Sequence, residues 1–407
     1  MKKMKLRGEF FITGWDENRK QFLFGVIKDG QAVEIGHFSE GIGSADADTL
    51  VLTIKTNAVR NEAGKFSIPP SICVLLSFDR FENEQIIGAV FESFLFKESW
   101  ENCTWDRLVI KCANIENEVS ITHPDKPLWS QPALNKEGFI SYLIQAAPFF
   151  LPFLKDKLLT TIRFPHGYGS ESFFQKNCPD YAPSFIEKKR HEGIDYILCN
   201  SLSTLVWLGN QLAMEYHIPF QTIASKQPNE IVFDLDPPDT DHFPLAIKAA
   251  VEMKKIFDDL NIISFPKLSG SKGIQVHIPI MHTSLTFNDT RRFTELIAHY
   301  LIEKYPHDFT IERLKKNRGA KLYIDYIQHA EGKTIICPYS PRGRANATVA
   351  APLFWDEVNE GLKMENYNIP RMIERFSEKD CPMKDFFDTR NFELEGIVES
   401  LKSESGG

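Results

Sequence analysis

The stretch Glu230-Ile-Val-Phe-Asp-Leu-Asp-Pro-Pro-Asp239 limits what this chain can become more than any other. Ile231, Phe233 and Leu235 alternate with Val232, Asp234 and Asp236, which is the period of a β-strand. Residues i and i+2 of a strand point to the same side, so Asp234 and Asp236 project together, about 7 Å apart at the backbone. Two carboxylates held side by side raise each other's pKa unless a cation sits between them. A hard divalent metal suits that place, because it takes oxygen ligands and neutralises both charges. Pro237-Pro238 ends the strand and leaves the carboxylates at its tip. The plain alternative is a solvated strand end, and the apolar residues on the other face argue against it.

A chain of 407 residues has room for two or three domains, each with its own core. Its net charge of -8 gives no global attraction for nucleic acid, so any such site must be a local basic patch on an acidic body. The cysteines at 73, 103, 112, 178, 199, 337 and 381 are scattered, and no Cys-x-x-Cys occurs. A disulfide framework or a zinc ribbon is not expected. The basic N-terminus has no apolar run behind it, and no stretch reads as a membrane span. The chain is expected to be cytoplasmic, with no membrane partner.

Residues 1–114 read as short strands separated by turns, among them Glu9–Gly14, Gln21–Ile27, Ala32–Gly36, Ile72–Phe78 and Ile87–Phe91. Residues 44–61 could hold a helix with Ala45, Leu50, Val51 and Ile54 inward. A small β-barrel fits this pattern. Proline-rich residues 115–132 suit a linker and domain entry. Residues 133–395 alternate helix and strand: Asn135 caps one helix, Ser203 a second that ends at His217, and Asn288 a third. Asp241–Leu260 is amphipathic, Leu322, Ile324 and Tyr326 alternate, and helices are expected near 354–363 and 370–377. Residues 396–407 are expected to be disordered.

The first of these regions carries a resemblance. Phe11–Trp15, Val33–Gly41, Ser71–Phe78 and Ala89–Phe94 resemble the OB-fold half of ATP-dependent DNA ligases. The Arg-x-Asp-Lys element of that half is replaced here by Leu95-Phe-Lys-Glu98, and no Lys-x-Asp-Gly motif occurs in these residues. The resemblance therefore implies a binding module without ligase activity.

Other residues extend the acidic strand into a constellation. Ser269-Gly-Ser-Lys-Gly273 offers backbone N–H groups, hydroxyls and an ammonium that can converge on a phosphate. Gln275 and His277 share one face of the strand that follows. Asp325 could supply a third carboxylate, and three converging carboxylates can hold two metal ions for phosphoryl or nucleotidyl transfer. Arg318, Arg342 and Arg344 lie nearby in sequence and could meet a polyphosphate.

Phe233–Pro237, Ser269–Gly273, Ile324–Gln328, Pro338–Arg342 and Ala345–Trp355 together resemble the polymerase domain of bacterial ligase D, of the archaeo-eukaryotic primase superfamily. Arg163-Phe-Pro-His-Gly, Ser172–Asn177 and Thr204–His217 match in the same order. The resemblance covers about residues 118–390. It implies a mixed α/β, primase-polymerase fold with a central mixed or antiparallel sheet, and gap filling or end extension in non-homologous end joining, with ribonucleotides favoured. Asp234, Asp236 and Asp325 would bind two ions of manganese or magnesium. His217, Ser269, Lys272, Gln275, His277, Arg318, Gln328, Arg342 and Arg344 would hold the nucleoside triphosphate. Lys126 and Lys136 would meet the 5′-phosphate of a gap or double-strand break, and Arg163, Phe173 and Phe174 the template. Implied partners are such DNA, nucleoside triphosphates, the Ku end-binding protein and a separate DNA ligase, and the implied location is the nucleoid. One departure stands out. Where the family often has a histidine three residues after the lysine of the loop, this chain has Gln275, and His277 on the same face is the candidate substitute.

Two other readings compete. An Asp-x-Asp phosphohydrolase or glycosyltransferase would not need the third carboxylate, the Gly/Ser/Lys loop or the arginines. A non-catalytic DNA-end-binding module would not need the carboxylates.

Overall fold

The computed structural model describes residues 5–62, 64–115 and 117–404. The chain divides into two compact units that meet in sequence at Thr122 and His123.

The first unit is built from β1 (Leu6–Asp16), β2 (Gln21–Lys28), β3 (Gln31–Glu40), α1 (Ser44–Asn57), β4 (Cys73–Phe78), β5 (Ala89–Phe94) and α2 (Trp105–Cys112). β2 pairs with β3, β3 runs parallel to β5, β5 pairs with β4, β4 with β1, and β1 with β2. Phe10, Phe11, Phe24, Phe38 and Phe78 are buried in it. The strand expected over 87–91 breaks at Gly88, whose φ of +72° and closeness to Asp79 (2.2 Å from a Cβ placed there) suit only glycine. In α1 the buried residues are Leu50 and Ile54, while Ala45 is exposed and Val51 half-buried.

In the second unit a five-stranded sheet positions the acidic residues. Its order is β10 (Phe265–Leu268), β11 (Ile274–Pro279), β9 (Glu230–Asp236), β13 (Leu322–Asp325), β12 (Phe309–Thr310), with only the last pair parallel. One face of β9 carries Ile231, Phe233 and Leu235 into a core with Met253 and Phe257 of α5 (Phe243–Asp259) and Phe293 and Ile297 of α6 (Phe287–Lys304). Burying a side chain such as Phe233 contributes roughly 1.5–3 kcal/mol, and it commits Asp234 and Asp236 to the other face. A second sheet, ordered β7 (Phe173–Gln175), β6 (Thr160–Arg163), β8 (Ala213–Pro219), β14 (Thr334–Ile336), carries the aromatic pair and His217.

Helix α3 (Lys136–Leu154) starts where expected, with Asn135 Oδ1 accepting from Gly138 N (2.9 Å). Contrary to expectation, α3 is long and apolar enough to cross a membrane by length and composition. Here Phe139, Ile140, Leu143, Ala146 and Phe150 are all buried, as in a core helix. Other boundaries also differ. Ser201, not Ser203, caps α4 (Leu202–Asn210), and the chain turns at Leu212 (φ +60°), so His217 lies on a strand rather than a helix end. Thr286 with Asp289 forms the capping box of α6 two residues ahead of Asn288. Pro127–Trp129 pairs with Leu134–Asn135, so part of the expected linker is strand. The helix expected near 354–363 is reduced to a 3₁₀ turn, Trp355–Glu357, whereas α7 (Ile369–Glu378) forms. The tail is not a disordered strip through its described length: α8 (Glu393–Glu404) is helical, with Leu394 and Val398 buried and Lys402 paired with Asp289 (2.7 Å).

Candidate active site

Strand register assembles the site. Asp234 lies directly opposite Asp325 on β13 and opposite Gln275 on β11, and Gln275 lies opposite Lys267 on β10. Lys267, Gln275, Asp234 and Asp325 thus form one row across four strands. Asp236 is one step further along the same face, opposite Tyr323.

Each carboxylate has its own partners. Gln275 Nε2 donates to Asp234 Oδ1 (3.0 Å). Tyr323 Oη (3.2 Å) and Gln328 N (2.9 Å) both donate to Asp325 Oδ1. Lys272 Nζ lies 3.0 Å from Asp236 Oδ1, and Arg318 Nη1 lies 3.4 Å from Oδ2. The Arg318 guanidinium also stacks 3.7 Å over the Tyr323 ring. Burial pushes Asp234 up to about 6, helped by the neighbouring charges of Asp236 and Asp325. Burial likewise raises Asp325. The row thus strains to keep its charges. Among the described residues no three His, Cys, Asp or Glu side chains are gathered as a ready metal cluster. Asp236 is turned toward its two cations instead. The donor set still suits a divalent ion, since three hard oxygen donors share one face and one of them resists ionising without a cation.

A cleft of about 220 Å3 opens over this face, and His217, Asp234, Asp236, Ser269, Lys272, Gln275, Gln328 and Arg342 are among its lining residues. The loop after β10 is locked. Ser269 Oγ accepts from Ser271 N (3.2 Å) and Gly273 N (3.1 Å), and Lys272 Nζ donates to the carbonyls of Pro237 (2.5 Å) and Pro238 (3.1 Å). Bound to the lining residues His217 and Arg342, Glu215 accepts from Gly343 N (3.0 Å), lies 3.3 Å from Arg342 Nε, and pairs with His217 Nε2 at 3.0 Å. Burial would raise Glu215, but His217 and Arg342 outweigh it and hold the carboxyl below its usual range. Burial lowers His217, so the pair is a carboxylate with a neutral imidazole.

Not every expected residue joins. His277 is on the same strand face as Gln275 but is buried deeper, its Nδ1 paired with Glu230 Oε2 (2.7 Å), and it does not line the cleft. Its substitution for the family histidine is therefore corrected: one strand repeat carries the ring away from the cleft. Arg344 is exposed and outside the lining, with its carbonyl accepting from Trp129 Nε1 (2.9 Å). Arg163 is held by Gln211, Gln175 and Tyr181 and supports the Phe173 ring at 5.4 Å. Phe174 is 71% exposed and Phe173 46%, so neither is a core residue. Lys126 O accepts from Lys136 N (2.9 Å), and burial, together with the Lys126 charge, pushes the Lys136 ammonium down to about 8. Sequence reasoning missed Lys267, Glu215 and Tyr323. The available signal for Lys267 was a lysine among apolar residues in Phe265-Pro-Lys-Leu268, two positions ahead of the loop.

The fold is that of a polymerase-domain class. The structure is similar to the polymerase domain from Mycobacterium tuberculosis ligase D in complex with DNA, with a TM-score of 0.62 and 25% identity, covering 67% of this chain and 99% of that one. The chain belongs to the LigD primase-polymerase domain family, whose model matches residues 135–383. It is 42% identical to the bifunctional non-homologous end joining protein LigD of Bacillus subtilis over 395 residues, which is 97% of this chain and 65% of that protein. It is 29% identical to the multifunctional non-homologous end joining protein LigD of Mycolicibacterium smegmatis, over 64% of this chain and 35% of that protein. The chain thus spans less than two thirds of the length of either relative.

Proposed function

We propose that this chain is a polymerase-type nucleotidyltransferase that fills gaps and extends DNA ends in non-homologous end joining, favouring ribonucleotides. The observation that carries this reading is the register of Asp234 opposite Asp325, with Asp236 on the same face beside the Ser269–Gly273 loop.

Asp234, Asp236 and Asp325 would hold two divalent cations, manganese or magnesium, which supply charge neutralisation for the polyphosphate and activation of the primer hydroxyl. The chain's own groups do the rest. Lys272 and Arg318 are poised to exchange Asp236 for triphosphate oxygens, releasing the carboxylate. The loop N–H groups, Ser269 and Arg342 receive the remaining phosphate oxygens. Neutral His217 spends its Nε2–H on Glu215 and is left with Nδ1 as an acceptor, so it can take a hydroxyl donor of the nucleotide but not a phosphate oxygen. Gln328 ties the Asp325 turn to Thr334 O (2.7 Å) and borders the nucleotide. The exposed rings of Phe173, backed by Arg163, and of Phe174 on the opposite strand face give a template base a stacking face that needs no particular sequence. The half-buried Lys126 suits a 5′-phosphate, with the buried Lys136 behind it adding its charge. The circuit of strand pairs in the first unit supports the OB-fold reading of that module, to which no ligation is assigned.

The test is addition of a labelled nucleotide to 5′-phosphorylated gapped DNA with manganese, comparing ribo- and deoxyribonucleotides. Addition by the wild type, lost in Asp234→Ala and Asp236→Ala, supports the reading. Addition unchanged in both variants would overturn it.

A further inference from the structure

Lys267 is fully buried, so its ammonium is withdrawn from bulk solvent. Its Nζ donates to Gln275 Oε1 (2.5 Å) and lies 3.5 Å from Leu268 O. Gln275 is itself 3% exposed and sends its Nε2 to Asp234 Oδ1. An amide between a cation and a carboxylate has one orientation that satisfies both: oxygen to the lysine, NH2 to the aspartate. The lysine thus fixes the amide, and the amide engages one oxygen of Asp234 and leaves Oδ2 as the oxygen turned to other ligands. Burying an ammonium this way is costly unless it is hydrogen-bonded, which is consistent with its being pushed down to about 7 by burial.

We propose that Lys267 is a positioning residue that acts through Gln275 to orient Asp234 for metal binding, so that residue 275 serves the metal ligand rather than the triphosphate. The proposal rests on the metal role assigned to Asp234 above. Nothing else in the mechanism uses Lys267.

The test is Mn2+ binding by the full chain without nucleotide, read from the electron paramagnetic resonance of free Mn2+, with thermal melts reporting folding. Gln275→Met and Lys267→Met are each expected to weaken binding by about 10-fold, as is common for groups that orient a metal ligand. In a Gln275→Met background, Lys267→Met is expected to leave binding unchanged or tighten it, because only repulsion between ammonium and metal is then removed. Nucleotide addition should show a lower kcat with KM for nucleotide little changed. Additive losses in the double variant, or a raised nucleotide KM at unchanged Mn2+ affinity, would overturn the proposal. A change in melting temperature alone would do so too. Asp234→Asn separates the two levels: if it leaves Mn2+ binding intact, the metal reading itself fails, whatever Lys267 does.

Discussion

Asp234 shows what one residue's surroundings cost and permit. Its carboxyl is raised from 3.8 to about 6, first by burial and then by Asp236 and Asp325. Between those values the folded chain holds a proton that the unfolded chain releases, so this group lowers stability as pH rises from about 4 to about 6. Because the side chain is only half-buried at the cleft, the loss is on the order of 1–2 kcal/mol rather than the full equivalent of the shift. In EDTA, Asp234→Asn should therefore melt higher than wild type at pH 7 and no higher at pH 4, and added Mn2+ should close the gap at pH 7. Calorimetry at the two pH values checks this. The exposed Phe174 makes a different prediction. Phe174→Ala should leave the melting temperature unchanged and cost about 1–3 kcal/mol of single-strand or gapped DNA affinity, measurable by fluorescence anisotropy.

At the scale of elements, the site depends on β9 being sandwiched between β11 and β13. Gly273, just ahead of β11, lies so close to β9 that a Cβ would be 2.2 Å from Leu235 O. Gly273→Ala should push the two strands apart, lower stability by about 1–3 kcal/mol, and abolish nucleotide addition with Asp234, Asp236 and Asp325 all still present. A melt paired with the addition assay tests it. The strands themselves were legible in the sequence, because alternation and Pro237-Pro238 mark β9 and alternation marks β13. Their register was not legible, since nothing local says which residue of β13 faces Asp234. The same limit hid Lys267, whose meaning comes only from its cross-strand neighbour Gln275, and made His277 look like a partner of the cleft. Helix starts slipped for a related reason: Ser201 and Thr286 compete with Ser203 and Asn288 as caps, and only the three-residue-ahead N–H decides between them. Residues 396–407 read as disordered, yet Val398 had a core to join.

At the scale of the whole molecule, a net charge of -8 leaves the proposed DNA contact to local positive groups. Lys126 with Lys136, and Arg163 under Phe173, are local features of the second unit. The family resemblance was legible because its motifs fall in fixed order over most of that unit. The first unit was legible as the short strands of a small β-barrel, while which strand pairs with which came only from the structure. The proposed activity turns on Asp325, which arrives from a strand 89 positions after Asp236 and lands beside Asp234. The most direct measurement is manganese-dependent addition of a labelled ribonucleotide to 5′-phosphorylated gapped DNA by the full chain and by Asp325→Asn, with Mn2+ binding followed in parallel. The expected result is robust addition by the wild type, with loss of both addition and tight Mn2+ binding in a variant that still folds. Full addition by Asp325→Asn, or none by the wild type, would contradict it.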